Sequence, residues 1–530
     1  MTPGRWRLIA AALVLLGCVR IALTWRVFSQ TVDEPFHIAA GMEWLSEGRY
    51  ELELQHPPLS RIAAAFGPWL AGGRSHGIQD GYQEGSAILA AGPGYWTNLV
   101  LARAPNLIFF ILSCWAVWLW SEQLFGAARA AGCVALFSGL PVVLGHAGLA
   151  TTDMAVAAGV GLALAFFDRW IERRTWRSAL LFGVMLALSL SAKFSAIPFL
   201  ICGCSAILAV RRRLVSWRQA LAACGVAFFL VWSTYRFQLS PMAPPNPPPV
   251  AELDALFGGS GPLRAGVNAA MAVPVPLGSW IRGIYHVYFH NSRGHATMLF
   301  DSFSFRGWWY YFPVVMAFKT PLGFLGLALA ALVFLRTKDR ARSAPGLAAA
   351  AIFFSCLPSH IDIGLRHLLP MFVPLSVACG AVLWPERRVA KLAVLALAAG
   401  AAISSALAHP DYLTYFNELA LDQPERIVAD SDLDWGQDLE KVRARLAELG
   451  IRECAVTFHG STDLDSLGMP CRILKPYEKA QGWVVMSINK LRMGEFEEHA
   501  DSKQWGAYSW IRAYRPVERI GKSMWLYRVD

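Results

Sequence analysis

The chain has 530 residues, of which 55% are hydrophobic and only 16% charged, with a mean hydropathy of +0.38. That balance excludes an ordinary soluble globular protein and defines a polytopic membrane protein. The formal net charge of +10 is spread over separate short basic loops with no nucleic-acid motif, so it reads as membrane topology and excludes a nucleic-acid footprint.

A hydrocarbon core of about 30 Å takes roughly 20 apolar residues per helix, which predicts about eleven spans. Their approximate positions are 8–28, 97–120, 130–149, 153–168, 178–193, 195–210, 219–238, 309–335, 345–358, 364–384 and 390–408. The first is long enough to cross and lacks a small-x-small cleavage site before Thr31, so it reads as an uncleaved anchor. Arg5 and Arg7 place the N-terminus inside. The basic loops at Arg169 to Arg177, Arg211 to Arg218, Arg336 to Arg342 and Arg387 to Arg388 then fall on the same side. An odd number of spans puts 29–96, 150–152, 239–308, 359–363 and 410–530 outside. The fold class predicted is mainly α: a polytopic helical membrane protein, residues 1–409, with a small external α/β domain at 410–530.

The first external loop carries Thr31-Val-Asp33-Glu34-Pro-Phe-His37 and then Gln55-His56-Pro-Pro-Leu59. Adjacent carboxylates at the lip of a membrane are costly without water, partners or a task. Their plain explanation is a carboxylate cap on a helix that opens at Pro35. Asp153, which opens the fourth span, can be a cap as well. With His37 and His56 these acids make a polar cluster suited to metal-free acid/base work. A divalent cation held by Asp33, Asp153 and His56 is the other option, since carboxylate and imidazole are suitable ligands, although the spacing matches no metal motif.

Residues 239–308 open with Pro241-Met-Ala-Pro-Pro-Asn-Pro-Pro-Pro249, a rigid extended stretch, and lead into the aromatic belt Gly307-Trp-Trp-Tyr-Tyr311. Beyond His409-Pro410 the pattern is that of a soluble domain. Leu439, Val442, Leu446 and Leu449 repeat at helical spacing before Gly450, and strand-like runs follow at 453–459, 483–489 and 524–529. Of ten cysteines, eight lie in the spans, where a buried structural thiol is expected. Cys454 and Cys471 lie in the tail and are candidates for a disulfide in an oxidising periplasm.

The string Thr31 to Gly41 with His56-Pro-Pro-Leu59 resembles the first external loop of the GT-C membrane glycosyltransferases, especially the bacterial, family 39-like branch of protein O-mannosyltransferases and aminoarabinose transferases. Asp153 matches that family's second acidic position. The resemblance continues through Gly294 to Phe300, Gly307 to Pro313, Phe318-Lys319-Thr-Pro321, Ile363 to Pro370, His409 to Glu418 and Asp430 to Asp438. The C-terminal domain departs from the better-known branches.

This resemblance implies a bacterial inner-membrane enzyme with a cytoplasmic N-terminus, residues 1–409 as its catalytic part and the tail in the periplasm. It would move a sugar from a polyprenyl-phosphate donor to a hydroxyl on protein, lipid or glycan at the outer face, usually with inversion. Asp33 is the expected general base, Glu34 the residue that orients base or acceptor, and Asp153 a partner in proton handling or a ligand for a cation or sugar hydroxyl. Lys319 and Arg366 are expected at the donor phosphate, with snorkelling or phospholipid contact as the plain alternative. His295 and Arg293 are secondary candidates there, His37 and His56 are expected to support the acceptor or the loop, and Lys193 reads as phosphate ligand or snorkelling lysine. No cofactor is fixed, and a divalent cation remains open. Two other classes stay in view. A lipid-linked sugar transporter would place ionisable groups near the midplane and often show repeated halves. A non-catalytic assembly subunit would leave Asp33 replaceable.

Overall fold

The computed structural model describes residues 1–242, 262–334, 340–494 and 506–530. Most of the proline-rich stretch (243–249), and Arg336 and Lys338 of one basic loop, lie outside them. The described chain is a bundle of helices with a five-stranded sheet at one end.

Every predicted span coincides with helix, but several are shorter, bent or broken. Among the described residues three helices are long and apolar enough to cross a membrane, Tyr95–Phe125, Asp153–Arg173 and Arg388–Leu407, with Ala127–Ser138 and Pro141–Ala147 forming a fourth if the 66° bend between them lies within one span. Trp176–Ala192 and Ala196–Arg211 are apolar but have only 17 and 16 residues. The predicted span 309–335 is two helices, Tyr311–Lys319 and Leu322–Phe334. The break has a chemical cause. Pro321 cannot donate a backbone hydrogen bond, and the Asn417 side-chain amide donates instead to the carbonyls of Ala317 and Thr320, at 2.6 and 2.8 Å.

Asp153–Arg173 is the axis of the bundle, with 94% of its most apolar window buried. It packs against 107–125, 176–192, 196–211 and 369–379. Small residues let the neighbours approach closely, as at Gly159, where a Cβ would lie 2.7 Å from Ser189 Cα. Arg388–Leu407 is the opposite case. Only 11% of its apolar window is buried, and Leu392, Leu395, Ile403 and Leu407 face outward, a surface suited to lipid rather than water.

The segment that follows the first helix, Pro3–Ala22, turns over the end of the bundle into three short helices, Asp33–Glu47, Leu59–Leu70 and Gly81–Ala90. Two glycines set their spacing. A Cβ at Gly41 would fall 2.0 Å from the Arg61 carbonyl oxygen, and one at Gly85 1.9 Å from that of Pro35.

The sheet runs in the order 471–473, 454–457, 482–487, 524–529, 516–520. Its first three strands are parallel and the last two join antiparallel. Helix Leu439–Glu448 buries Leu439, Val442 and Leu446 as the spacing predicted, whereas Leu449 is 42% exposed. Gly450 ends the helix at φ +68°. Strands 471–473 and 516–520 were not anticipated, because the first is three residues long and the second carries Glu518 and Arg519. Cys454 and Cys471 are register partners on adjacent strands and are disulfide-bonded.

Gly85→Ala is expected to cost about 1–3 kcal/mol through overpacking against Pro35 and to lower the thermal unfolding midpoint of the purified protein in lipid. Gly225→Ala, where nothing lies within 4 Å of the new Cβ, should not lower it.

Candidate functional site

A cavity of about 780 Å³ opens where the bundle end, the short helices and the sheet meet. Asp33, first residue of helix Asp33–Glu47, lies on its wall with a side chain 30% exposed. Arg366 reaches it from the turn Leu365–Leu368, donating from Nη1 to Asp33 Oδ2 at 3.0 Å. The Arg366 guanidinium also lies 4.2 Å from the centre of the Trp435 ring, a favourable cation–π placement.

Behind these two groups sits Asp153, only 1% exposed. Lys193 Nζ donates to its Oδ1 at 2.7 Å, Arg366 Nη1 lies 4.0 Å from Oδ2, and Thr151 Oγ1 donates to Oδ2 at 3.3 Å. A buried carboxylate is tenable only when paired and hydrogen-bonded, and here its partners are two cations that both line the cavity. Lys193 is the last turn of helix Trp176–Ala192 carried one residue further, in extended backbone. The sequence left its role open; the structure puts it beside Arg366.

The other expected residues divide sharply. Glu34 is 0% exposed and points away from the cavity into a two-pronged pair with Arg103, both contacts 2.7 Å, while accepting from the backbone N–H groups of Thr31 and Ala150. With these partners it cannot orient an acceptor, and its place is structural. Lys319 likewise lies outside the cavity. It donates to the Leu413 carbonyl at 2.9 Å and to the Asp432 carbonyl, and sits 3.5 Å from Asp432 Oδ1. Its charge is spent on clamping two tail segments, which corrects its expected role at a phosphate. Arg293 does not line the cavity and lies 5.8 Å from the Phe289 ring, whereas His295 lines it and hydrogen-bonds the Ala296 carbonyl at 2.9 Å.

His37 and His56 face the cavity with ring centres 5.5 Å apart. Arg61 donates from Nε to His37 Nδ1 at 3.2 Å and is paired with Glu53. Burial, with Lys193 nearby, pushes His56 down to about 3, and burial with Arg61 lowers His37. Both rings are therefore neutral hydrogen-bonding groups at neutral pH, not cations for an anionic ligand. Asp33, Asp153 and His56 do not form a metal-ligand set, because the Arg366 guanidinium occupies the approach between the two carboxylates. Among the described residues no three His, Cys, Asp or Glu side chains gather as metal ligands.

Sequence reasoning passed over Arg61, Tyr82, Asp430, Trp435, His459 and Asn489, all on the cavity wall. Trp435 and Asp430 stand within the quoted string Asp430 to Asp438, but nothing in the string told which of its acids faces inward. Asp434 and Asp432 are held elsewhere: Asp434 accepts from Asn489 N at 2.8 Å, and both oxygens of Asp432 accept from Leu365 N at 3.0 Å, fixing the turn that carries Arg366.

Residues 97–235 match the family model described as dolichyl-phosphate-mannose-protein mannosyltransferase. The structure is similar to that of ArnT from Cupriavidus metallidurans bound to undecaprenyl phosphate, with TM-score 0.52 and 13% identity over 98% of this chain and 97% of that one. The apo form of the same protein gives TM-score 0.50 at 13% identity with the same coverage. The oligosaccharyltransferase of Archaeoglobus fulgidus in complex with Zn and sulfate is more distant, with TM-score 0.42 and 12% identity over 97% of this chain and 73% of that one. No curated protein sequence matches the chain. The chain thus has the fold of ArnT and, over residues 97–235, a segment similar to the dolichyl-phosphate-mannose-protein mannosyltransferase family.

Proposed function

We propose that this protein is a membrane glycosyltransferase that moves a sugar from a polyprenyl-phosphate donor to an acceptor hydroxyl at the outer face of a bacterial inner membrane. The observation that carries this reading is a cavity whose wall holds a partly exposed carboxylate, Asp33, paired with Arg366, and a second cation, Lys193, both cations held from behind by buried Asp153. The undecaprenyl phosphate named with the ArnT structure fits such a site. Its phosphate would meet the two cations, and its prenyl chain the apolar wall formed by Phe194, Ile197, Phe199 and Ile284.

Arg366 has two anionic partners, Asp33 at 3.0 Å and Asp153 at 4.0 Å. A donor phosphate competes for it with Asp33, so donor binding releases Asp33 to accept a proton. The acceptor oxygen then attacks the anomeric carbon as the bond from that carbon to the phosphate oxygen breaks. The electron pair leaves with polyprenyl phosphate, stabilised by Arg366 and Lys193, and the hydroxyl proton passes to Asp33. Attack opposite the leaving phosphate inverts the anomeric centre. Asp153 acts as a positioning residue, since it reaches the reaction only through the cations it holds. In this reading the N-terminus is cytoplasmic and residues 410–530 form an external domain. The two cations meet the need for charge neutralisation, and no metal is assigned.

Asp33→Asn in purified protein in lipid bilayers, supplied with radiolabelled polyprenyl-phosphate sugars and membrane extract, should lower transfer about 10²–10⁴-fold with an unchanged unfolding midpoint. Equal transfer by both proteins would remove Asp33 from the mechanism. Glu34→Ala should behave differently, costing about 3–5 kcal/mol of stability because it leaves buried Arg103 unpaired, visible as a large drop in the unfolding midpoint. Because His56 already lacks its proton well below neutrality, its ionisation should add no limb to the pH–rate profile between about pH 5 and 8. A limb near 6.5 that His56→Gln abolishes would contradict that assignment.

A further inference from the structure

A second cleft, of about 480 Å³, adjoins the first and shares Val32, Tyr82 and His459 with it. One wall is the start of helix Gly81–Ala90; the other is the loop 458–463, which leaves the carboxyl end of strand Cys454–Thr457. Strand Gly482–Ser487 runs parallel to it, and the residues after its own carboxyl end supply Asn489 to the first cavity and Lys490 to the second. The crevice beyond the carboxyl ends of parallel strands is where open α/β sheets bind ligands, and here it adjoins the cavity that holds Asp33.

The walls are fixed to each other. Gln30 Nε2 donates to the Ser461 carbonyl at 3.1 Å, Ser86 Oγ donates to the same carbonyl at 2.9 Å, and Ser461 Oγ donates to the Val32 carbonyl at 3.0 Å. Against this satisfied framework one group stands out. Thr462 is 6% exposed, lines the cleft, and its hydroxyl has no hydrogen-bond partner. A buried hydroxyl without a partner costs free energy that a ligand hydroxyl would recover. The cleft is also lined by Asp80, Gln83 and Asp463, with the Tyr82 and Phe458 rings. Each of the two carboxylates uses one oxygen to cap a helix, Asp80 at Tyr82 and Gln83, Asp463 at Ser466.

We propose that this cleft is the acceptor subsite and that it takes a polyhydroxylated glycan from the aqueous side, passing one hydroxyl between Tyr82 and His459 to Asp33. Carboxylate, amide and hydroxyl groups with aromatic faces match the alternating hydroxyls and C–H faces of sugar rings. An extended peptide finds no strand edge here, because strand Cys454–Thr457 is paired on both sides. The polar lining does not suit an acyl chain, and two carboxylates against one ammonium favour a neutral or cationic glycan.

This inference rests on the transferase reading, and the test separates the two. Full-length protein in lipid nanodiscs is given radiolabelled polyprenyl-phosphate sugars and cell-envelope material resolved into a delipidated, protease-digested glycan fraction, a protein fraction and an organic-solvent lipid fraction. Label is expected in the glycan fraction. Gln83→Trp, which narrows the cleft, and Thr462→Val, which removes a hydroxyl that makes no bond in the fold, should each raise the half-saturating glycan concentration about tenfold while undecaprenyl phosphate binding stays at the wild-type level. Label in the protein or lipid fraction, or variants indistinguishable from wild type, overturns the proposal and leaves the transferase reading intact. A wild-type protein that neither binds undecaprenyl phosphate nor labels any fraction overturns that reading and the proposal with it.

Discussion

The site depends on one buried charge. Asp153 opens a helix whose most apolar window is 94% buried and is held by Lys193 at 2.7 Å, with Arg366 4.0 Å away. Taking a carboxylate out of water costs several kcal/mol, and removing one partner of such a group costs more than the group contributes when fully paired. The arrangement therefore constrains three separate stretches of chain to meet at one point. It also leaves both cations at the cavity wall, so the feature that makes the buried acid tolerable is the same one that makes the cavity attractive to an anion.

Two further ion pairs repeat this logic behind the wall. Glu34 with Arg103 ties the start of helix Asp33–Glu47 to the Tyr95–Phe125 helix, and Arg103 also donates to the carbonyls of Trp25, Phe28 and Ser29. Lys319 with Asp432 fixes the tail against the broken helix at Thr320-Pro321, and Asp432 in turn holds the backbone of Leu365, next to Arg366. Neighbouring residues thus divide the labour: of the pair Asp33 and Glu34, one faces the cavity and the other holds the backbone that aims it.

That division is what the sequence could not show. The helical membrane part, the order of the elements, and the presence of Asp33, Asp153, Arg366, His37, His56 and His295 at one place were legible, because apolar runs and long motifs mark them. The role of Lys319 was not, since a lysine at a predicted helix end looks the same whether it faces a headgroup or the Leu413 carbonyl. Arg61 and Trp435 were missed for a related reason: each reaches the cavity through tertiary packing across 24 residues or more, Arg61 to His37 and Trp435 to Arg366. Short strands such as 471–473 carry too few residues for period-two alternation to register.

The backbone after the first helix hydrogen-bonds the tail directly, Ser29 N to the Gln437 carbonyl and Val32 N to the Trp435 carbonyl, both at 3.0 Å. The residue next to the catalytic candidate is therefore seated on a segment made some 400 residues later during synthesis. A ribosome-bound chain that has threaded every apolar helix still has no Trp435 over Arg366 and no support under Val32. The cavity lip is assembled last, so a partly synthesised or prematurely terminated chain lacks the finished cavity.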